Sequence, residues 1–450
     1  MSEIVSAEQL KILSITLDAE RFNRSLFLAV GKGDGIVVEV NIYEDLSKGY
    51  LTGNMIIQDD QDIYRQADLV GTERVTIDFQ TPDQSSDIIT KTFVVEEIDT
   101  SIKTTDYSSM LVLNLIEDIK FYNDLVKYSK AYTGTGEQII SLIVQDKFNR
   151  EVVNESEKQS AQNVFRYIVP YISPLDAIVK VRDKMTTASG LPFFFYSTIV
   201  DNKFHLIDLE TIINSTPFNV KKPFVFDQEN TQKTDLESQA TNITALETDL
   251  QESTIQLAIA GGMGFGYESI NATSGKFFKT HNDVSEHFED LKNAGMFPQD
   301  QNFIAFDKEF IADPSSVNTN PITQYDARIM RRIVTNPYTD VNGYNQEALP
   351  AQEMLYMIKN SVISHMFKNF YTINVPGILF STSSIKATVG HLISMNIYRN
   401  DTDYNANRKI DEKRSGNFII VSKRHIFDVS SERHTVSLGL CKLASRRIEE

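Results

Sequence analysis

Ile36-Val37-Val38-Glu39-Val40-Asn41-Ile42 decides how this chain is read. Ile36, Val38, Val40 and Ile42 fall on one side of an extended backbone, and Val37, Glu39 and Asn41 on the other, because successive strand side chains point to opposite faces. A period of two means one face buried and one wet. The alternation recurs outward from here: Val75, Ile77 and Phe79 with Thr76 and Asp78, then Leu111, Leu113 and Leu115 with Val112 and Asn114. Gly31-Lys32-Gly33-Asp34-Gly35 reads as the turn before the first of these runs. Many short strands separated by turn residues predict a barrel or sandwich in the N-terminal part.

The pattern changes near residue 123. Glu137–Asn149 carries Ile139, Ile140, Leu142, Ile143 and Phe148 at helical spacing. Ser173-Pro174 opens a second helix, since Ser caps well and Pro fits the first helical position. Leu175, Ile178, Val179, Arg182 and Met185 follow. Phe193–Ile199 and Phe204–Leu209 read as two strands around a Val200–Lys203 turn, so this stretch predicts a small α/β unit. Residues 227–253 are polar and read as surface loop or exposed strand, and Gly261–Gly266 as turns or bulges. Val284–Ala294 predicts a short helix ended by Gly295. Residues 298–349 read mostly as loop, and Pro350–Phe370 as the clearest helix, with Leu355, Ile358, Val362, Met366 and Phe370 on one stripe. That stripe reads as core before it reads as a partner-binding face.

The end of the chain repeats the plan of its beginning. Val70-Gly71 leads into Val75–Phe79, then Phe93-Val94-Val95, a turn at Thr105-Asp106-Tyr107, and Met110–Ile116. Val389-Gly390 leads into His391–Ile397, then Phe418-Ile419-Ile420-Val421, a turn at Asp428–Glu432, and His434–Leu440. Residue identity between the two is low, so this is a repeat of architecture.

The motifs that carry chemistry are weak. His281, Glu286 and His287 have a spacing unlike the H-E-x-x-H of a helical zinc site and read as surface residues. Asp59-Asp60, Glu96-Glu97 and Glu117-Asp118 are acid pairs, but neighbours on a strand point to opposite faces and make poor catalytic partners. Cys441 is the single cysteine, which excludes a disulfide framework or a thiolate metal cluster within one chain. It reads as a structural thiol in a chain assembled in a reducing cytoplasm. Neither glycine cluster has the spacing of a phosphate loop or a dinucleotide fingerprint. No catalytic, metal or cofactor-binding residue is therefore predicted, and no cofactor.

Lys and Arg total 44 against 61 Asp and Glu, a formal charge of −17, and such a surface repels polyphosphate. The basic pairs Lys221-Lys222, Arg331-Arg332 and Arg446-Arg447 are too short and scattered to displace counterions as nucleic-acid binders do. No apolar run approaches the ~20 residues that cross a bilayer, and Met1–Leu13 lacks the pattern of a secretory signal.

Three stretches give the sequence a family likeness. Val40-Asn41-Ile42-Tyr43-Glu44-Asp45, Tyr50-Leu51-Thr52-Gly53, Asp59 and Gly71-Thr72-Glu73 before Val75–Phe79 resemble the opening of the baseplate central hub proteins of T-even-like contractile-tailed bacteriophages. Val169–Ile178 followed by Phe193-Phe194-Phe195-Tyr196 is similar to that family's second domain. Ser415-Gly416-Asn417-Phe418, Arg424–Asp428 and Val436-Ser437-Leu438 resemble its closing strands.

The resemblance implies an α+β, mainly β protein: two tail-tube-like antiparallel β-barrel domains with two peripheral α/β domains. The chain then divides into a first barrel at 1–122, a peripheral domain at 123–212, a second barrel from 213–255 and 368–450, and an inserted peripheral domain at 256–367. It also implies a non-enzymatic homotrimer, a pseudo-sixfold ring joining a sixfold tail tube to a threefold spike. Its partners would be itself, the spike, tail tube or tube-initiator proteins and other baseplate proteins, with DNA in transit and not bound by sequence. Its place would be the virion baseplate, after assembly in the host cytoplasm. The alternatives are a tail-associated cell-wall hydrolase, which needs two facing carboxylates, and a receptor-binding fibre protein, which would carry stalk repeats.

Overall fold

A computed structural model describes the chain outside residues 1–5, 9–10, 20–24, 31–34, 81–87, 162–163, 227–234, 251–253, 272–274, 276, 288–300, 303–308, 312–318, 322–323, 326–327, 335–347, 367–368, 381–383, 400–408, 412–413, 443–444 and 447–450. Strand dominates, with helices gathered in the middle of the chain. The N-terminal strands are β1 (Lys11–Asp18), β2 (Leu26–Val30), β3 (Val37–Asp45), β4 (Thr52–Asp59), β5 (Arg74–Gln80), β6 (Ile89–Lys103) and β7 (Ser109–Glu117). In space they run β3-β4-β7-β6-β5-β1-β2. Val40 and Ile42 enter the core as their parity requires, while a bulge between Val37 and Glu39 puts Val37 inside as well. Val75, Ile77, Phe93, Val95, Leu111, Leu113 and Leu115 complete that core.

The C-terminal strands repeat this order. Ala245–Leu250, Asn369–Pro376, Arg433–Cys441, Gly416–Asp428 and Leu392–Asn396 lie side by side, all antiparallel, as β3, β4, β7, β6 and β5 do. The correspondence extends to irregularities. The register of β6 against β7 shifts between Val95 and Glu97, and that of Gly416–Asp428 against its partner shifts between Ile420 and Ser422. Both shifts lie in the long fourth strand of the repeat, at the matching place. Gly71 and Gly390 precede matching strands with φ of +80° and +82°, a left-handed geometry that favours glycine. The two repeats join because β3 pairs antiparallel with the second half of Gly416–Asp428, so all these strands form one continuous sheet. Closure of either half into a barrel is not part of that pairing among the described residues. Outside the repeat the halves differ: β1 and β2 extend the first, and Phe224–Val225 joins the second in parallel.

The middle of the chain supplies a third core. The helix Gly136–Phe148 starts at a capping box, in which Thr135 and Gln138 each satisfy the other's backbone, and ends at Asn149 in the left-handed conformation. The helix Pro174–Arg182 is capped by Ser173. Both pack on the strands Phe193–Ser197 and Phe204–Asp208, with Val152–Asn154 added in parallel.

Several expectations need correction. Gly261 ends a short helix, Thr254–Ile259, but Gly264 and Gly266 lie inside the strand Gly264–Asn271 and are not turns. That strand pairs in parallel with Ile329–Val334, which the loop reading of 298–349 missed. Its Arg331 is exposed, as the reading of Arg331-Arg332 as a surface pair expects, and reaches Glu268 across the pair at 2.8 Å. The polar stretch 227–253 includes the strand Ala245–Leu250, so its exposed-strand reading stands for that part. The long helix runs Ala348–Met366 with Ile358, Val362 and Met366 buried, whereas Phe370 belongs to the next strand. Residues 31–34 of the first glycine cluster, and 288–295 of the predicted short helix, lie outside the described residues.

Candidate functional site: the seam between the two halves

The feature with the most concentrated chemistry is the seam where β3 meets Gly416–Asp428. Ser422 opposes Asp45, Lys423 opposes Glu44, Arg424 opposes Tyr43 and His425 opposes Ile42. Glu44 continues the buried parity of Val40 and Ile42, and Lys423 and His425 continue that of Val421 and Phe427, so opposite charges meet inside the protein. Lys423 Nζ lies 3.0 Å from Glu44 Oε2, and both side chains are buried. Glu44 Oε1 accepts from Ile199 N at 2.9 Å, and Lys423 Nζ donates to Ala387 O at 3.2 Å. Burial by itself would raise the Glu44 carboxyl, but Lys423 and His425 outweigh it and hold it at about 2. Burial pushes the Lys423 ammonium below its ordinary range, with Glu44 opposing.

Next to the pair, His425 Nδ1 and His434 Nε2 are 3.0 Å apart, and the rings stack between Phe427 and the seam. Burial and the Lys423 charge push His425 down to about 4, and burial with His425 and Lys423 holds His434 well below its ordinary range. Both imidazoles are therefore neutral at physiological pH, one donating to the other.

A second cluster, half-buried around the buried His205, ties the α/β unit to both halves. Glu155 Oε1 accepts from Tyr196 Oη at 2.9 Å and lies 2.8 Å from His205 Nδ1, while Glu155 Oε2 lies 3.3 Å from His391 Nε2. Asp201 Oδ1 sits 3.1 Å from His205 Nε2. Burial would lower His205, but Asp201 and Glu155 carry it to about 9, so it is a cation. Burial would raise Glu155, but His205 and His391 hold it at about 2. From the N-terminal half, Lys91 Nζ donates to Thr198 O and Asn202 Oδ1, both at 3.0 Å. The Ile199 amide on Glu44 links this cluster to the seam.

Over the seam lies an open cleft of about 490 Å³, lined among others by Tyr43, Lys48, Tyr50, Phe370 and Arg424. Arg424 stacks over the Tyr43 ring at 5.6 Å, and Lys48 pairs with Asp45 at 3.7 Å. A general acid in such a cleft needs a carboxyl held above its ordinary range. Among the described residues, each carboxylate that is displaced moves down: Glu44, Asp146, Glu155, Asp201, Glu268 and Asp428.

The residues singled out in the sequence are dispersed. His281 lies in the strand Phe277–Asp283, and His287 Nε2 bonds Ser189 O at 2.9 Å. No group of His, Cys, Asp and Glu among the described residues could hold a metal ion. Cys441 is buried, and burial pushes its thiol well up. Asp59 caps the short helix Ile63–Gln66, accepting from Ile63 N at 2.8 Å and Tyr64 N at 3.1 Å. Glu117 and Asp118 correct the opposite-face argument: one ends β7 and the other starts a helix, so Arg150 reaches both, at 2.7 and 3.1 Å. The Glu44–Lys423 pair and the Glu155–His205 cluster were missed. A signal for the first existed, namely a charge on the apolar parity of two strands.

No helix among the described residues is long and apolar enough to cross a membrane. No family model matches the sequence, and no curated protein matches it. Solved structures do. A tail protein from Neisseria meningitidis MC58 aligns over 95% of this chain and 96% of its own, at TM-score 0.51 and 11% identity. The 43 kDa tail protein of prophage MuSo2 from Shewanella oneidensis aligns over 95% and 97%, at TM-score 0.48 and 11% identity. An E. coli component of the type VI secretion system, itself similar to T4 bacteriophage tail proteins, aligns over 92% and 76%, at TM-score 0.39 and 8% identity. The mainly β chain thus shares its overall fold with a tail protein along nearly its whole length.

Proposed function

We propose that this chain is a structural subunit of a phage tail, the central hub of the baseplate. One observation carries the reading: a five-strand order that occurs twice, with the same register shift in the same strand, joined in one sheet. Two near-equivalent units per chain are what three copies need to present six like units on one side and threefold symmetry on the other. The ring would join the tail tube to the spike, contact other baseplate proteins, and leave a passage for DNA. The charge of −17 supports passage without adhesion, since phosphate contacts come from Lys and Arg. In this reading the repeats are the tube-like domains of 1–122 and of 213–255 with 368–450, closed into barrels by assembly, and 123–212 and 256–367 are peripheral. The protein then resides in the virion baseplate and assembles in the host cytoplasm.

The reading is tested by the mass of the purified chain in solution and by its position in particles. Three copies around the tail axis are expected; a single off-axis copy sinks it. The downward shifts of the carboxylates favour scaffold over hydrolase, and turnover of peptidoglycan by the purified chain would reverse that choice. A ring whose bore is lined mainly by Lys and Arg would remove the sliding role.

A further inference from the structure

The internal repeat makes one strand pairing that it could make twice. In the C-terminal unit, the second half of Gly416–Asp428 gives its outer edge to β3. The matching edge in the N-terminal unit is the second half of β6. There β5 pairs only as far as Val94, and beyond it no strand follows on that side among the described residues. The strand matching β3 is Ala245–Leu250, which stands at the end of the sheet. One chain therefore holds a joined seam in its middle and the two halves of a second seam at separate places. Ile102, at the β6 edge, is 57% exposed.

Resting on the ring reading above, we infer that these two edges are the contact between copies of this chain: β6 of one protomer pairs antiparallel with Ala245–Leu250 of the next. The register follows from the fold. Met55 opposes Val40 as Ile373 opposes Leu246, so Val40 matches Leu246, and likewise Asn41 matches Glu247 and Ile42 matches Thr248. Met110 opposes Ile102 as Thr435 opposes Ile426, so Ile102 matches Ile426, while Ser101 matches His425 and Lys103 matches Phe427. In the joined seam His425, Ile426 and Phe427 oppose Ile42, Asn41 and Val40. The second seam accordingly sets Ser101 against Thr248, Ile102 against Glu247 and Lys103 against Leu246.

The two seams also differ as an inner and an outer contact should. Ile98 and Leu250 occupy the positions matching Lys423 and Glu44, so an apolar pair replaces the buried ion pair. β6 carries one further bulge, at Asp99, that Gly416–Asp428 lacks. A bulge at a sheet edge blunts indiscriminate pairing and leaves the edge to a partner of matching twist. Within a chain the two edges are seven strands apart along the sheet and do not pair with each other among the described residues, which leaves a second copy as the partner.

The test is a pair of double-cysteine chains, Ile102→Cys with Glu247→Cys and Ile102→Cys with Thr248→Cys, oxidised at a concentration where the native mass is trimeric. Opposed residues in an antiparallel pair have Cα atoms about 4.5–5.5 Å apart, within disulfide reach, and a slip of one residue turns the second thiol to the other face. Cys441 is buried and does not compete. The expected result is a ladder of dimers ending in a covalent trimer for the first chain, and single chains for the second, with melting unchanged in both before oxidation. A native trimer that cross-links in neither chain, or equally in both, overturns this pairing and leaves the ring intact. A first-chain ladder that runs past the trimer keeps the pairing and removes ring closure. Absence of a trimer both from the purified chain and from particles removes the ring reading and this pairing together.

Discussion

The two halves of the sheet were built to one plan and finished differently. In the C-terminal half the long fourth strand is covered on both sides, and the covering strand β3 brings a carboxylate to a buried ammonium. In the N-terminal half the matching edge of β6 shows Ile102 to solvent. The difference teaches that the C-terminal unit is completed by a strand borrowed from the N-terminal one. That loan is made inside the chain and is locked by charge.

The sharpest way to break this contrast is to remove the lock. Lys423→Met leaves Glu44 buried without a counterion, and thermal or urea unfolding should show a loss of about 3–5 kcal/mol. Glu44→Leu with Lys423→Met should recover most of it, because an apolar pair of similar volume suits a fully buried site; a double variant no better than the single would show that the charges position the seam. Acid separates the seam from the α/β joint. Unfolded, His425 binds a proton at about 6.5, but the native seam refuses it until about 4. Stability is then full above 6.5 and drains by up to about 3 kcal/mol as pH falls toward 4, a slope that His425→Gln with His434→Gln should flatten.

His205 has the opposite sign. Its native affinity for the proton extends to about 9, so its contribution is full below 6.5 and is lost as pH rises through 9. Unfolding midpoints followed from neutral to alkaline pH should fall in the native chain and stay level in His205→Gln. Smaller effects test the equivalence of the halves. Gly71→Ala and Gly390→Ala place a side chain in left-handed backbone and should each cost about 1–2 kcal/mol. The two should be alike, since the new Cβ at Gly71 meets the Glu96 carbonyl at 3.2 Å and that at Gly390 meets Leu46 at 3.1 Å and the Tyr196 ring at 3.3 Å. Thr135→Ala removes a helix cap in the α/β unit and should cost about 1 kcal/mol without touching the seam. An effect on assembly would mean the peripheral unit takes part in it.

Much of this was legible in the chain. Period-two alternation located β3, β5 and β7, and Ser173-Pro174 marked the start of a helix, because parity and capping are local rules. The order Val75–Phe79, Phe93 onward and Met110–Ile116 against His391–Ile397, Phe418 onward and His434–Leu440 gave the duplicated meander before any contact was known. The strand Ile329–Val334 escaped because a parallel strand has no hairpin turn to announce it and its central residues are Arg331 and Arg332.

By itself the sequence determined which segments extend, which coil, and that the two ends share a plan, since each follows from side chains a few positions apart. Only the tertiary structure decided that the two plans fuse through β3, that Glu44 and Lys423 meet there, and that β6 and Ala245–Leu250 are left as edges among the described residues. Those outcomes depend on pairings between residues hundreds of positions apart, and hydrogen bonding between strands is blind to sequence distance; parity says which face is buried but not which strand lies alongside.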